Sequence, residues 1–204
     1  MKNRLIHQSS EFDCGPTTLI NALRLLYERE EIPPMLLKGI WIYGNDAFND
    51  CGEMGKQGTS KAAIRFFANW FNDLGQNCRF PIRAEYVHRA AADITPESRT
   101  VQCLREGGVA LMRCWSEGIG HYVLLTTLEE DGRIGLFDPY DDPDEEVPQA
   151  EGLRIIHGQD YRMNRSAPME LLNRRDKSNY AMGDDEKRVN LLIWRKHCCH
   201  ADKA

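Results

Sequence analysis

The sequence predicts an α+β protein in which helices come first and a mostly antiparallel sheet follows. Two segments in the N-terminal part of the chain carry apolar residues at helical spacing, whereas most later apolar segments have the length and composition of strands. Between two of these strands, Asp131-Gly132 is a hairpin signal that favours antiparallel pairing. The chain has 204 residues and no internal repeat, so we predict one domain at residues 1–196 and a disordered tail at 197–204.

The first predicted helix runs from about Cys14 to Glu30. Pro16 suits its first turn, and Asp13 or Cys14 lies near its N-cap. Pro33-Pro34 is expected to end the helix. The apolar residues that recur on one face of this helix are Leu19, Ile20, Leu23, Leu26 and Tyr27.

Residues 41–59 are rich in Gly, Asn and Asp and predict a long loop, a feature that is often functional. A second helix is predicted from about Thr59 to Leu74, and Gly75 is expected at its C′ position. The apolar stripe of this helix consists of Ala63, Phe66, Phe67, Trp70, Phe71 and Leu74.

The rest of the chain predicts strands and short helices. A helix is expected near 97–106, ended by Gly107-Gly108, and another at 166–174, opened by Ser166 and Pro168. The acidic run Asp141 to Glu146 predicts a solvated loop. The predicted strands are 79–87, which Pro81 assigns to an edge, 109–115, 121–128, 133–137, 153–157 and 189–194.

Composition excludes several classes of protein. Lys and Arg total 26 against 31 Asp and Glu, and the resulting net charge of −5 and pI near 5.7 argue against binding to nucleic acid or anionic membranes. The mean hydropathy of −0.54 and the lack of a long apolar run or secretory signal argue against a membrane span or export. Seven irregularly spaced cysteines favour reduced thiols in a cytoplasmic protein; three disulfides and a spare thiol are the alternative.

The most informative segment surrounds Cys14, which lies where the first helix begins. The partial positive charge of a helix N-terminus favours a thiolate there, and Gly15 leaves room for a substrate backbone. Gln8, six residues upstream, can donate a side-chain hydrogen bond to an oxyanion beside the sulfur, and the Cys14 N–H can be the second donor. We therefore interpret Cys14 as a candidate nucleophile.

A thiolate nucleophile also needs a base and a group that orients the base. His121 opens one strand, and Asp138 ends the next strand, 17 residues later. In an antiparallel hairpin the start of the first strand lies beside the end of the second. His121 and Asp138 are therefore predicted neighbours, with the carboxylate holding the imidazole in one tautomer while the other ring nitrogen faces Cys14.

These motifs resemble those of the double-glycine leader peptidases, which are bacteriocin-processing cysteine peptidases of the papain-like superfamily. The resemblance covers roughly residues 5–30 and 108–140 and implies a papain-like fold, with the helix that carries the cysteine packed on the sheet that carries the histidine and aspartate. It implies that Cys14 is the nucleophile and His121 the general base and acid. It also implies that the Asp138 carboxylate orients the histidine and that Gln8 is the oxyanion donor.

Other candidate residues have plainer interpretations. Asp50-Cys51-Gly52 repeats the triplet at 13–15, but no helical periodicity follows it, so Cys51 is predicted to be a loop thiol. His197-Cys198-Cys199-His200 is too compact to wrap one zinc ion and is assigned to the tail. Cys78, Cys103 and Cys114 lie within predicted elements and are expected to be packed. His7 and His157 are weaker competitors for the site. The sequence allows two interpretations of three aromatic residues, which can line a substrate groove or pack in the core: Trp41, Trp115 and Tyr140.

The sequence therefore predicts a soluble cysteine peptidase that hydrolyses a peptide bond of a peptide or protein substrate through a thioester at Cys14. We expect no cofactor, metal or nucleic-acid partner. The same site can serve acyl transfer, deamidation or isopeptide cleavage, because a fold does not determine the reaction. A non-catalytic peptide-binding module, or a zinc site formed by Cys14, His121 and Asp138, is a further alternative.

Overall fold

The computed structural model describes residues 3–77, 79–140 and 150–196. These residues form five α-helices and seven strands, which confirms the predicted α+β class. The helices are α1 (Cys14–Leu26), α2 (Pro34–Gly44), α3 (Lys61–Gln76), α4 (Arg99–Arg105) and α5 (Met169–Leu172). The strands are β1 (Ile82–His88), β2 (Val109–Ser116), β3 (Ile119–Leu128), β4 (Ile134–Phe137), β5 (Arg154–Ile155), β6 (Arg165–Ala167) and β7 (Val189–Arg195).

All seven strands join one antiparallel sheet in the order β1-β7-β2-β3-β4-β6-β5. The predicted edge position of β1 is confirmed, and Pro81, which has no N–H to donate, directly precedes it. The hairpin predicted at Asp131-Gly132 is also present and joins β3 to β4. β2 and β3 form a second hairpin, whose two-residue turn at Glu117-Gly118 has positive φ at both residues. This segment is therefore a tight turn.

Helices cover both faces of the sheet. Leu111 of β2 and Leu191 of β7 belong to a buried cluster with α1, α2 and α3, while their sequence neighbours Met112 and Leu192 belong to a second cluster with α4 and α5. Successive side chains of a strand point to opposite faces, so a strand between two helical layers is apolar throughout. This is why β2 and β7 have continuous apolar runs rather than an alternating pattern.

The central helix α1 lies against β3 and carries Cys14 at its start. Residues 14–23 are all buried, so the beginning of the helix is enclosed on every side rather than on the one predicted face. Asn21 faces the N-terminal segment, where its side chain accepts a hydrogen bond from the Ile6 N–H and donates one to the Ile6 carbonyl, at 2.9 and 2.8 Å. α1 therefore fixes both Cys14 and the chain that leads to Gln8.

The largest error of the sequence prediction is the missing helix α2. The prediction used Pro33-Pro34 only as a stop signal, but α1 ends earlier, at Leu26, and Pro34 is the first residue of α2. Residues 41–44 consequently belong to a helix and not to the predicted loop. Apolar residues occur all around this helix, and two of its four buried positions are glycines, Gly39 and Gly44. The sequence therefore shows no apolar stripe on one face and does not predict the helix.

Smaller differences concern the ends of elements. α3 begins after Ser60, whose hydroxyl caps the helix, and Gly75 lies inside α3 rather than after it. Glycine suits this position because a Cβ there would overlap the Ile82 carbonyl of β1. Ser166 belongs to β6 and not to a helix, and α5 follows Pro168 as a single short turn. β5 is only two residues long.

Three predictions lie outside the described residues: the acidic loop Asp141 to Glu146, the packed Cys78, and the tail 197–204 with its His-Cys-Cys-His run. Among the residues that are described, no helix has the length and apolar character needed to cross a membrane.

Candidate active site

Cys14 is the first residue of α1, with Asp13 as N-cap, as the sequence predicts. The Asp13 carboxylate does not cap the helix; it accepts a hydrogen bond of 2.9 Å from the Asn45 side chain. The first N–H groups of an α-helix have no partner within the helix. The Cys14 side chain is 5% exposed and lines a cavity of about 320 Å³.

The predicted contact between His121 and Asp138 is confirmed. His121 lies near the start of β3, Asp138 follows the end of β4, and the imidazole Nε2 is 2.7 Å from the carboxylate Oδ1. Both side chains are buried, at 7% and 1% exposure. The Cys14 side chain lies near the His121 ring and is one of the groups that raise the pKa of His121. Since Asp138 occupies Nε2, Nδ1 is the ring nitrogen left for the sulfur.

A shell of hydrogen bonds holds Asp138 in this orientation. The Tyr180 hydroxyl donates to Oδ2 at 2.8 Å, and the Tyr140 N–H donates to Oδ1 at 2.9 Å. The Asn164 side chain bonds both the N–H and the carbonyl of Asp138, each at 2.8 Å. Sequence reasoning missed Tyr180 and Asn164, since neither belongs to a recognisable motif. Tyr180 has a φ of +68°, a conformation that is rare for a residue other than glycine.

The charges of these side chains depend on each other. Burial alone lowers the pKa of His121, but the Asp138 carboxylate and the Cys14 sulfur outweigh burial and raise it to about 10. Burial also raises the pKa of Asp138, whereas His121 and the hydrogen bonds from Tyr140 and Tyr180 hold it below its usual range. Imidazolium and carboxylate are therefore the favoured forms at neutral pH.

Gln8 lies on the histidine side of the site, where it lines a cavity together with His121 and Tyr140. Its backbone N–H donates to the Pro139 carbonyl at 2.8 Å, which ties the N-terminal segment to the chain just after Asp138. Its side-chain Nε2 donates to the Ser10 carbonyl at 3.0 Å, and its Oε1 is buried without a partner. One N–H of the amide remains for another acceptor.

The cavity lined by Cys14 and the cavity lined by His121 adjoin each other and share Glu11, Ile119 and Gly120. Together they form a groove across the Cys14–His121 pair. Of the three aromatic residues left open by the sequence, Tyr140 lines the groove, Trp115 is buried, and Trp41 is on the exposed side of α2.

The segment between α2 and α3 forms one wall of the groove. Lys56 to Thr59 line the cavity beside Cys14, and Thr59 lies so close to Gly15 that a Cβ at Gly15 would overlap its side chain. Asp46 accepts hydrogen bonds from both the N–H and the hydroxyl of Ser60, which holds the end of the loop against the start of α3. Gly15 therefore provides space for Thr59 of this loop, and the space that the sequence predicts for a substrate backbone is taken by that side chain.

The competing residues behave differently from Cys14. Cys114, across from His121 in the sheet, is fully buried, and burial raises its pKa well above the usual value. Burial also raises the pKa of Cys103, to about 12. Cys51 is exposed in a turn, as predicted for a loop thiol. His157 is exposed, and the nearby Asp160 pairs with Arg4 instead.

No protein-family model matches this sequence, and a search of curated proteins finds no match either. The function is therefore argued from the geometry of Cys14, His121 and Asp138.

Proposed function

We propose that this protein is a papain-like cysteine peptidase that hydrolyses a peptide bond through a thioester at Cys14. The observation that carries the proposal is the position of His121, which lies near Cys14 and has its imidazole Nε2 2.7 Å from the Asp138 carboxylate. A nucleophile, a base within hydrogen-bond reach and a third group that orients the base are the arrangement that nucleophilic catalysis requires.

In the acylation step, the Cys14 thiolate attacks the carbonyl carbon of the substrate, and a C–S bond forms. The carbonyl π electrons move to oxygen, where the Cys14 N–H and the free N–H of the Gln8 amide stabilise the negative charge. His121 then gives its Nδ1 proton to the leaving nitrogen, the C–N bond breaks, and an amine departs. A thioester at Cys14 and a neutral imidazole remain.

In the deacylation step, the neutral His121 removes a proton from water as the water oxygen attacks the thioester carbonyl. The C–S bond breaks and releases a carboxylic acid, which ionises at neutral pH. The thiolate and the imidazolium are thereby restored. Asp138 stabilises the imidazolium and holds the ring in one orientation through both steps.

The resemblance to double-glycine leader peptidases supports the same roles, and the packing of α1 against β3 is consistent with the papain-like arrangement that the resemblance implies. A cytoplasmic location is part of the proposal, based on irregularly spaced cysteines. Four cysteines of the described chain are free thiols: Cys14, Cys51, Cys103 and Cys114.

The test is cleavage of a defined peptide mixture, followed by mass spectrometry of the products. The wild-type protein is expected to cut peptides, and Cys14→Ala is expected to lose at least about 10³-fold of the rate, because no other group supplies the nucleophile. Cys51→Ala is the matched control, since it removes a thiol from the second Asp-Cys-Gly triplet of the chain, and it should retain full activity. Undiminished cleavage by Cys14→Ala would overturn the proposal.

The same assay separates the alternatives. Added glycinamide competes with water for a thioester, so an amide product that increases with glycinamide concentration would indicate acyl transfer rather than hydrolysis. If the purified wild-type protein contains stoichiometric zinc and Cys14→Ala does not, the site binds a metal ion and the proposed peptidase function is wrong.

A further inference from the structure

The half of the groove beside Cys14 has buried polar atoms that lack a hydrogen-bond partner in the described chain. This cavity, of about 320 Å³, extends from Cys14 away from His121, and Arg113, Tyr122, Lys56 and Thr59 are among the residues that line it. Arg113 and Tyr122 are cross-strand partners on β2 and β3, so their positions are fixed by the hairpin.

Arg113 carries a charge that no described carboxylate neutralises. None of the ion pairs among residues 3–77, 79–140 and 150–196 includes it, and its Nη1 is buried without a hydrogen-bond partner. The guanidinium lies over the Trp115 ring, 4.8 Å from its centre, and against Gly120, where a Cβ would clash with it. The guanidinium is therefore held in place at the cavity wall, with donors to spare.

Tyr122 is 3% exposed, and its hydroxyl has no hydrogen-bond partner in the described chain. An unpartnered buried hydroxyl destabilises a fold, and phenylalanine would fill the same volume without that cost. Burial raises the pKa of this phenol, so the group stays a neutral O–H donor at any pH at which the protein functions. A ligand acceptor in the cavity would satisfy it.

The two halves of the groove also differ in charge. The half beside His121 contains the carboxylates of Glu11 and Glu117 and no Lys or Arg, whereas the half beside Cys14 adds Arg113 and Lys56 to the shared Glu11. In the proposed mechanism His121 protonates the leaving amine, so the leaving group lies over the acidic half. The acyl part of the substrate then lies over the basic half.

We propose that the cavity beside Cys14 is a subsite for a carboxylate side chain, aspartate or glutamate, in the acyl part of the peptide substrate. The carboxylate pairs with the Arg113 guanidinium and accepts a hydrogen bond from the Tyr122 hydroxyl. This inference rests on the proposed peptidase function and adds the substrate class to it. Arginine suits this role, because its planar donors match the geometry of a carboxylate.

The test compares the rates at which peptidyl vinyl sulfones label Cys14. The probes are N-acetyl-X-glycyl and N-acetyl-glycyl-X vinyl sulfones, in which X is Glu, Gln or Lys. In the wild-type protein one Glu probe is expected to react at least about tenfold faster than its Gln counterpart, because a hydrogen bond to a charged group is stronger than one to an amide. Lys is expected to be the poorest.

Arg113→Gln should abolish the preference for Glu over Gln. Lys177→Gln is the matched control, because Lys177 also lies over the Trp115 ring, at 4.9 Å, but does not line the cavity, and the preference should stay unchanged. Tyr122→Phe should reduce the preference and raise the melting temperature; a lower melting temperature would mean that the hydroxyl has a structural role and would contradict its part in the subsite.

Iodoacetamide, a neutral reagent too small to need the subsite, separates the two proposals. If it labels Cys14 but no probe prefers Glu, or if Arg113→Gln keeps the preference, the subsite is overturned and the peptidase survives. If neither iodoacetamide nor any probe labels Cys14, the proposed peptidase is overturned, and the subsite with it.

Discussion

Asp138 illustrates how much of the site lies beyond the reach of local sequence. Its proximity to His121 was predictable, since Asp131-Gly132 defines a hairpin and the hairpin defines its neighbours. Its other partners were not: Tyr180 is 42 residues further along the chain, in a segment without periodicity. Only the packing of that segment against β2, where the Tyr180 N–H bonds the Trp115 carbonyl at 2.7 Å, brings its hydroxyl to the carboxylate.

Replacement of Asp138 by Asn should change the pH dependence of activity. Of the two groups that raise the pKa of His121 to about 10, Asp138 contributes more than Cys14, whereas burial lowers it. Without the carboxylate, the imidazolium loses its proton at a lower pH, so the alkaline limb of the kcat/KM profile should shift towards lower pH. We expect a loss of about 10²-fold at neutral pH, within the range of general acid–base catalysis.

Asp160→Asn is the control for this pH profile, because Asp160 forms only an exposed pair with Arg4. Its profile should superimpose on that of the wild-type protein. An alkaline limb that stays in place in Asp138→Asn would mean that Asp138 does not set the protonation of His121.

At the level of elements, periodicity predicted the helices that have one clear apolar stripe and missed the helix that has none. α3 was predicted because Ala63, Phe67 and Phe71 recur at helical spacing. α2 was missed because its close packing uses glycines: a Cβ at Gly39 would overlap Trp70 of α3. The absence of a side chain leaves no hydrophobic signal, although the contact itself is tight.

Asparagine side chains link helices to neighbouring chain segments in a repeated way. Asn21 of α1 bonds both the N–H and the carbonyl of Ile6, and Asn72 of α3 does the same for Ala84 of β1. Such a pair satisfies two backbone groups at once and fixes the position of the segment. The first link holds the segment that carries Gln8, and the second holds an edge strand.

Asn21→Ala and Asn72→Ala are therefore a matched pair of variants. Each loses two hydrogen bonds and should lower the free energy of unfolding by about 2–3 kcal/mol in urea titrations. Only Asn21→Ala should also lower kcat, by about tenfold, because it releases the segment that positions the Gln8 oxyanion donor. Equal kcat values in the two variants would show that the Asn21 link has a structural role alone.

On the scale of the whole molecule, the site requires three distant segments to meet. Cys14 comes from the start of the central helix, His121 from one strand of the sheet, and Asp138 from the end of the next strand. The α1 helix must pack on β3 in one register for the sulfur to reach the imidazole, and that packing involves the buried cluster that α1 shares with α2, α3 and one face of the sheet. The sequence predicted the α+β class and the hairpin, but the register of the helix on the sheet is a property of the complete core.

The most direct measurement of this convergence is the alkylation rate of Cys14 by iodoacetamide as a function of pH, read by peptide mapping with the exposed Cys51 as internal reference. At about pH 6 an ordinary thiol is mostly protonated and slow, so Cys14 should react at least about tenfold faster than Cys51 if the His121 imidazolium stabilises its thiolate. His121→Gln should remove that advantage and leave the Cys51 rate unchanged. A wild-type Cys14 that reacts no faster than Cys51, or a rate that persists in His121→Gln, would contradict the account.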